Sequence, residues 1–187
     1  MPKISKELIK KIAIGVLTSV VIAFLYSYRY QIYYTVLRIL TPKSSNPENN
    51  EIIRGLHPIF AYKAGKIVKD IERNGGTIVL TSGYRSPQKQ EYLYNTGQTT
   101  APALSSYHNF GFAFDCNING LKMASSKDKW KPFADYIKDK YNVRWGGDFS
   151  SFYDPVHFDY GTKYPISELR NLYNEEKLVN KTFVKTF

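Results

Sequence analysis

Ser106-Tyr107-His108-Asn109-Phe110-Gly111-Phe112-Ala113-Phe114-Asp115-Cys116-Asn117-Ile118 is the stretch on which the reading of the whole chain turns. From Phe112 onward it alternates. Phe112, Phe114, Cys116 and Ile118 share one side; Ala113, Asp115 and Asn117 share the other, the period of a strand. An acid opposite a row of phenylalanines puts Asp115 on an open face of a sheet, where a ligand can bind. His108 lies seven residues before Asp115, the wrong spacing for one helix face. Gly111 allows the backbone to double back, so that the imidazole can meet the carboxylate. Cys116, the chain's one cysteine, falls on the apolar side and reads as a small buried hydrophobe.

A second strand is written in Asp154-Pro155-Val156-His157-Phe158-Asp159-Tyr160. Val156, Phe158 and Tyr160 face one side, His157 and Asp159 the other. His108, Asp115 and His157 form a donor set that can hold Zn²⁺ and leave a fourth position open. Pro155 breaks the strand's regularity, so Asp154 can reach over the metal without ligating it and accept a proton there. The chain has three histidines, so two in this pattern are informative. Taken singly, a strand histidine is commonly a structural residue, and Asp before Pro is commonly turn chemistry. Spacing alone leaves the metal site and the structural reading both open.

Outward from these strands the elements are short. His57-Pro58 opens a helix, with His57 as cap or packing residue, and Phe60, Ala64, Ile67, Val68 and Ile71 line one of its faces. Gly75-Gly76 ends it. Thr77-Ile78-Val79-Leu80-Thr81 is a short apolar strand, followed by a turn at Gly83-Tyr84-Arg85 and a helix capped by Ser86. Trp130, Phe133, Ala134, Ile137 and Tyr141 mark another helical face. Val143-Arg144-Trp145-Gly146-Gly147 leads into a glycine turn, and a last helix is expected to be capped by Ser167. The fold class expected is α+β: a small antiparallel sheet flanked by helices, preceded by one transmembrane helix.

That first helix is read from residues 12–28, which carry no charge. Seventeen residues at ~1.5 Å each reach roughly 26 Å, the short end for a bilayer core. Lys3, Lys6, Lys10 and Lys11 precede the run, and Tyr26, Tyr28 and Tyr30 follow it at the expected lipid–water boundary. The stronger positive flank favours a cytoplasmic N-terminus and a body on the outer, periplasmic or cell-wall, side. A cleaved signal peptide is the rival, but Tyr26-Ser27-Tyr28-Arg29 is a poor cleavage site. The domains expected are a basic flank (1–11), an anchor and juxtamembrane helix amphipathic against the headgroups (12–40), a polar linker with two prolines (41–50), and a folded body (51–187).

The net charge of +10 is unevenly placed: residues 1–43 hold +6 and the other 144 residues only +4. No Lys/Arg cluster in the body interleaves with aromatics as a nucleic-acid groove requires, so nucleic acid is not an expected partner. A mild attraction to an anionic polymer such as a cell wall is allowed.

Ser106-x-His108-x-x-Gly111-x-Ala113-x-Asp115, Trp145-Gly146-Gly147-Asp148-Phe149 and Asp154-x-x-His157-Phe158 together resemble the zinc D-alanyl-D-alanine carboxypeptidase / L-alanyl-D-glutamate endopeptidase family of peptidoglycan peptidases. Ser82-Gly83-Tyr84-Arg85-Ser86 is similar to the family's arginine loop. The resemblance covers about residues 55–160 and neither the anchor nor the linker. It implies that His108, Asp115 and His157 hold Zn²⁺, that Asp154 is the general base and acid, and that Arg85 binds a negative group of the substrate. Aspartate at position 154 and the Trp-Gly-Gly-Asp stretch tilt the implied activity toward L-alanyl-D-glutamate endopeptidase over D-alanyl-D-alanine carboxypeptidase. Asp148 reads as a structural residue or as a carboxylate partner of a ligating histidine, and Asp159, on the same side as His157, can play that role too. The other classes are a non-catalytic membrane-tethered wall-binding module and a partner protein acting through its N-terminal helix. The partners expected are peptidoglycan or its peptide fragments and, through the helix, the lipid bilayer.

Overall fold

The computed structural model describes residues 5–174, 178–179 and 182–183; Lys3 of the basic flank lies outside them. Strands Ile78–Ser82 (β1), Ala113–Ile118 (β2), Arg144–Trp145 (β3) and His157–Asp159 (β4) form one antiparallel sheet in the order β1-β2-β4-β3. Leu178–Val179 (β5) and Thr182–Phe183 (β6) pair separately. The helices are Lys6–Leu40 (α1), Pro47–Gly55 (α2), Pro58–Arg73 (α3), Pro87–Asn95 (α4), Lys127–Tyr141 (α5) and Ile166–Asn174 (α6). The architecture is the α+β one expected.

Register sorts the sheet's two faces. Phe114 pairs with Phe158, and Phe158 with Trp145, so these three point the same way and are buried. Phe60 of α3 stacks on Phe114 with ring centroids 5.8 Å apart. Trp130, Ala134 and Ile137 of α5 bury the face expected of them, and Cys116 is fully buried. The opposite face collects the polar pairs: Asp115 faces His157, Ala113 faces Asp159, and Asp159 faces Arg144. Directly opposed residues of an antiparallel pair hold their Cβ atoms about 4.5–5.5 Å apart, so pairing alone brings these groups together.

One irregularity matters for the site. Leu80 pairs with Cys116, yet Ser82 pairs with Asp115, so β1 carries an extra residue at Thr81. This bulge brings Ser82, rather than Thr81, opposite Asp115 and aims the following Gly83–Arg85 turn at the polar face.

Residues 41–50, expected as a loose linker, are packed. Asn46 caps α2 by accepting from the Glu48 amide at 2.9 Å, with Pro47 at the first helical position. Asn49 is fully buried; its amide donates to the Ile78 carbonyl at 3.0 Å and its oxygen accepts from the Leu80 amide at 2.8 Å. It acts as a surrogate strand residue on the outer edge of β1, satisfying backbone groups an edge would leave open. Ser44 and Ser45 bond Glu72 of α3. The polar composition that looked like a tether is used as caps and edge partners.

Residues 31–40 pack one face of the helix on the domain and leave Ile32, Tyr33, Val36 and Ile39 exposed on the other. Tyr34 is buried, its ring 5.3 Å from His57. Arg38 donates to the Arg54 carbonyl at 2.9 Å and the Leu56 carbonyl at 3.3 Å. The first part of the same unbroken helix projects with Val16, Leu17, Val20 and Leu25 exposed. By length and composition, residues 13–40 make one helix able to cross a membrane. Ser167 falls inside the first turn of α6 rather than capping it, because the helix already starts at Ile166.

Candidate metal centre

His108 is carried on a single 3₁₀ turn, Tyr107–Phe110, between Ser106 and Gly111. Ser106 Oγ accepts from the His108 amide at 3.3 Å and so starts the turn. Gly111 ends it in the left-handed region at φ 71°, and a Cβ there would lie 2.6 Å from the His57 amide nitrogen. Both the dihedral and the close approach demand glycine. Gly111→Ala is expected to cost about 2–4 kcal/mol of stability, read as a lowered Tm; an unchanged Tm removes this account of the turn.

His157 enters from β4 after a tight turn. The His157 amide donates to the Asp154 carbonyl at 3.2 Å, with Pro155 at the second position, where its fixed φ suits a turn. Gly146 lies against this turn; a Cβ would run into the Asp154 carbonyl. Trp145-Gly146-Gly147 is thereby explained as close packing beneath Asp154 and against the Trp145 indole.

The three expected ligands converge. His108 Nε2 lies 3.2 Å from Asp115 Oδ1 and 3.2 Å from His157 Nδ1, and His157 Nδ1 lies 3.1 Å from Asp115 Oδ1. These distances make a nearly equilateral triangle. Donors bonded at ~2.0–2.1 Å to a tetrahedral centre stand about 3.3–3.4 Å apart, so the triangle has the dimensions of three corners of a zinc site. The far side of each imidazole is engaged. His108 Nδ1 meets the Gly83 carbonyl at 2.5 Å, and His157 Nε2 meets Asp159 Oδ2 at 3.2 Å. Both partners can only accept, so the protons belong on His108 Nδ1 and His157 Nε2. That leaves lone pairs on the two nitrogens that face Asp115 Oδ1. Three such atoms turned on one point need a proton or a metal cation among them, and two imidazole nitrogens with one carboxylate oxygen are a donor set that fits a divalent metal.

Electrostatics agree. Burial opposes the charge on Asp115, but the two imidazoles outweigh it and hold its carboxyl well below the usual range. Burial opposes positive charge on His157, yet Asp115 and Asp159 raise it to about 10, and the same pull is available to a cation. Behind His157, Asp159 is clamped by Arg144, whose Nε and Nη2 each donate at 2.8 Å. On the other side Arg85 Nη2 reaches Asp115 Oδ2 at 2.6 Å, while its Nε donates to Ser82 Oγ at 3.1 Å. The polar face is thus a string of alternating charge: Arg144, Asp159, His157, Asp115, Arg85.

Asp154 lines the same cleft, about 410 Å³ in volume, with His108, Asp115, His157 and Arg85. Burial raises its pKa above the usual carboxylate value; His157, His108 and Arg85 pull it down and Asp115 pushes it up, with a net rise. Asp148 is elsewhere, paired on the surface with Lys127 and Lys138. His57 caps α3 and stacks on Phe112 at 4.5 Å, remote from the cluster. Sequence reading missed Arg144, the Gly83 carbonyl, and Phe149 and Phe152 on the cleft's lip. Arg144 had one available signal: it precedes Trp145 in a two-residue strand, and strand alternation sends it to the polar face.

The family profile described as D-alanyl-D-alanine carboxypeptidase matches residues 99–160, which include all three cluster residues and Asp154. The peptidoglycan L-alanyl-D-glutamate endopeptidase CwlK of Bacillus subtilis is 29% identical over 122 residues, 56% of this chain and 72% of CwlK. Among solved structures, the L-Ala D-Glu endopeptidase ChiX of Serratia marcescens aligns with a TM-score of 0.49 at 20% identity, covering 63% of this chain and 89% of ChiX. The motifs read from the sequence, the matched segment and the curated relative agree: the chain is similar to the D-alanyl-D-alanine carboxypeptidase / L-alanyl-D-glutamate endopeptidase family of peptidoglycan peptidases.

Proposed function

We propose that the chain is a membrane-anchored zinc metallopeptidase that hydrolyses peptide-stem amide bonds of peptidoglycan, of the L-alanyl-D-glutamate endopeptidase type. The observation that carries this reading is the triangle of His108 Nε2, Asp115 Oδ1 and His157 Nδ1, with the outer nitrogens already occupied. Zn²⁺ held there would supply an acidified water and a Lewis acid for the scissile carbonyl. Asp154 takes the proton of the attacking water and returns it to the leaving amine; its half-buried setting, which raises its pKa, suits both directions of transfer. Arg85 steadies Asp115 and presents positive charge to a carboxylate of the substrate. The endopeptidase assignment is supported by the kinship with CwlK and by aspartate at position 154. The apolar part of α1 holds the domain on the outer, periplasmic or cell-wall, side, with the N-terminus in the cytoplasm.

The test is mass spectrometry of products from defined muropeptides incubated with the zinc-loaded protein. Fragments with a new amino terminus on D-glutamate are expected. Release of free D-alanine instead reassigns the chain as a carboxypeptidase. Intact muropeptide with folded, zinc-loaded protein leaves a wall-binding module.

The string behind the metal has its own expected outcome. Asp159→Asn is expected to weaken zinc retention about 10- to 100-fold, measured by competition with a chromogenic chelator, because the His157 ring loses its anchor. Unaltered zinc affinity takes Asp159 out of that role.

A further inference from the structure

Remote from the metal cluster, α1 crosses α3 and leaves a cavity of about 420 Å³ between them. Tyr33, Tyr62, Lys63, Lys66, Lys140 and Tyr160 are on its wall, and no Asp or Glu lines it among the described residues. Lys140 is neutralised by Asp70 at 2.7 Å. Lys63 lies over the Tyr160 ring at 4.4 Å and donates to the Tyr141 carbonyl; Lys66 lies over Tyr62 at 5.6 Å. Neither Lys63 nor Lys66 forms an ion pair with an acid among the described residues. Burial, then the neighbouring Lys66, pulls Lys63 below the ordinary lysine range. Two lysines without an acid partner, set among tyrosines around a cavity with no acid in its described lining, make a receptor for a phosphate.

Height along α1 says which phosphate. The uncharged run ends at Tyr28, and Arg29 follows, its guanidinium folded over the Tyr26 and Tyr30 rings. Tyr33 is five residues further, roughly 7.5 Å along the axis. The headgroup layer beyond a ~30 Å hydrocarbon core is itself about 5–8 Å deep on each side. Helix α1 is unbroken from Lys6 to Leu40, and Tyr34 and Arg38 fasten it to the domain, so the cavity's height is fixed. We propose that this cavity binds the phosphate headgroup of an anionic phospholipid and seats the domain against the outer face of the membrane. This rests on the reading of α1 as a span. Its consequence is that the metal cluster works at a set distance from the bilayer instead of ranging on a tether.

The test uses the full chain in nanodiscs of mixed phosphatidylcholine and phosphatidylglycerol, with co-released lipid counted by native mass spectrometry. Phosphatidylglycerol is expected to be enriched on the protein. The enrichment is expected to fall about fivefold in Lys66→Gln and further in Lys63→Gln/Lys66→Gln, at roughly 1 kcal/mol per lysine near an anionic surface, while Lys66→Arg keeps it. Lys66 is exposed, so the single variant decides the matter if the double one does not fold. Equal enrichment in Lys66→Gln, or none in the unaltered chain, overturns the site. Loss of enrichment on adding millimolar inorganic phosphate makes it a free-anion site and overturns the lipid assignment. Release of the chain from membranes by alkaline carbonate strikes the spanning reading itself, a result separate from the other two.

Discussion

His108→Ala is expected to lose zinc and hydrolysis together. The protein should fall from about one zinc per chain to near none by metal analysis, and its rate on muropeptides should drop by about 10³-fold or more. Two physical facts set the size. The ring supplies one of only three protein donors, so its removal leaves a two-ligand site with no preference for a closed geometry. It also leaves the Gly83 carbonyl without the His108 Nδ1 proton inside the fold. His108 is nearly fully buried, so a stability loss is expected as well. His157→Gln separates the two effects: it keeps volume and a hydrogen bond toward Asp159, and should fold normally while still releasing zinc. Full zinc content in both variants would end the assignment of the cluster as a metal centre.

Asp154→Asn is expected to behave in the opposite way toward the metal. Zinc content should stay near one per chain, because Asp154 is not a corner of the triangle. The rate should fall about 10²–10⁴-fold, the usual range for loss of a positioned general base. KM should move little, since an amide of the same shape occupies the same place in the cleft. A variant that keeps most of its rate would pass the proton-transfer role to another group and leave Asp154 as turn chemistry around Pro155. The two variants together distinguish a residue that holds the cation from one that works beside it.

Much of the site was legible because strand alternation is a local rule. Phe112 to Ile118 and Val156 to Tyr160 sort their own side chains by period, so Asp115, His157 and Asp159 could be assigned to a polar face before any pairing was known. Gly111 announced a turn for the same local reason, and the structure places it at positive φ. The linker misread at 41–50 shows the limit of local composition. Asn46-Pro47-Glu48 is a helix start, and Asn49 an edge partner, but polarity without periodicity carries the signature of a tether equally well. Only the unpaired edge of β1 decides between them. Residues 31–40 show the same limit, since a tyrosine at position 34 suits a headgroup layer or a domain core until the domain arrives beside it.

By itself the chain of residues determined the α+β class, an apolar first helix, and the identities of the three lone-pair donors, because periodicity and residue chemistry are properties of neighbours in sequence. The tertiary structure alone decided that the donors stand at tetrahedral spacing, that Arg144 and Arg85 terminate their charge string, and that the apolar helix is fastened to the domain. Those outcomes depend on a β-bulge at Thr81 and on strand register, which are set when remote segments compete for the same hydrogen bonds, and no single segment contains the result.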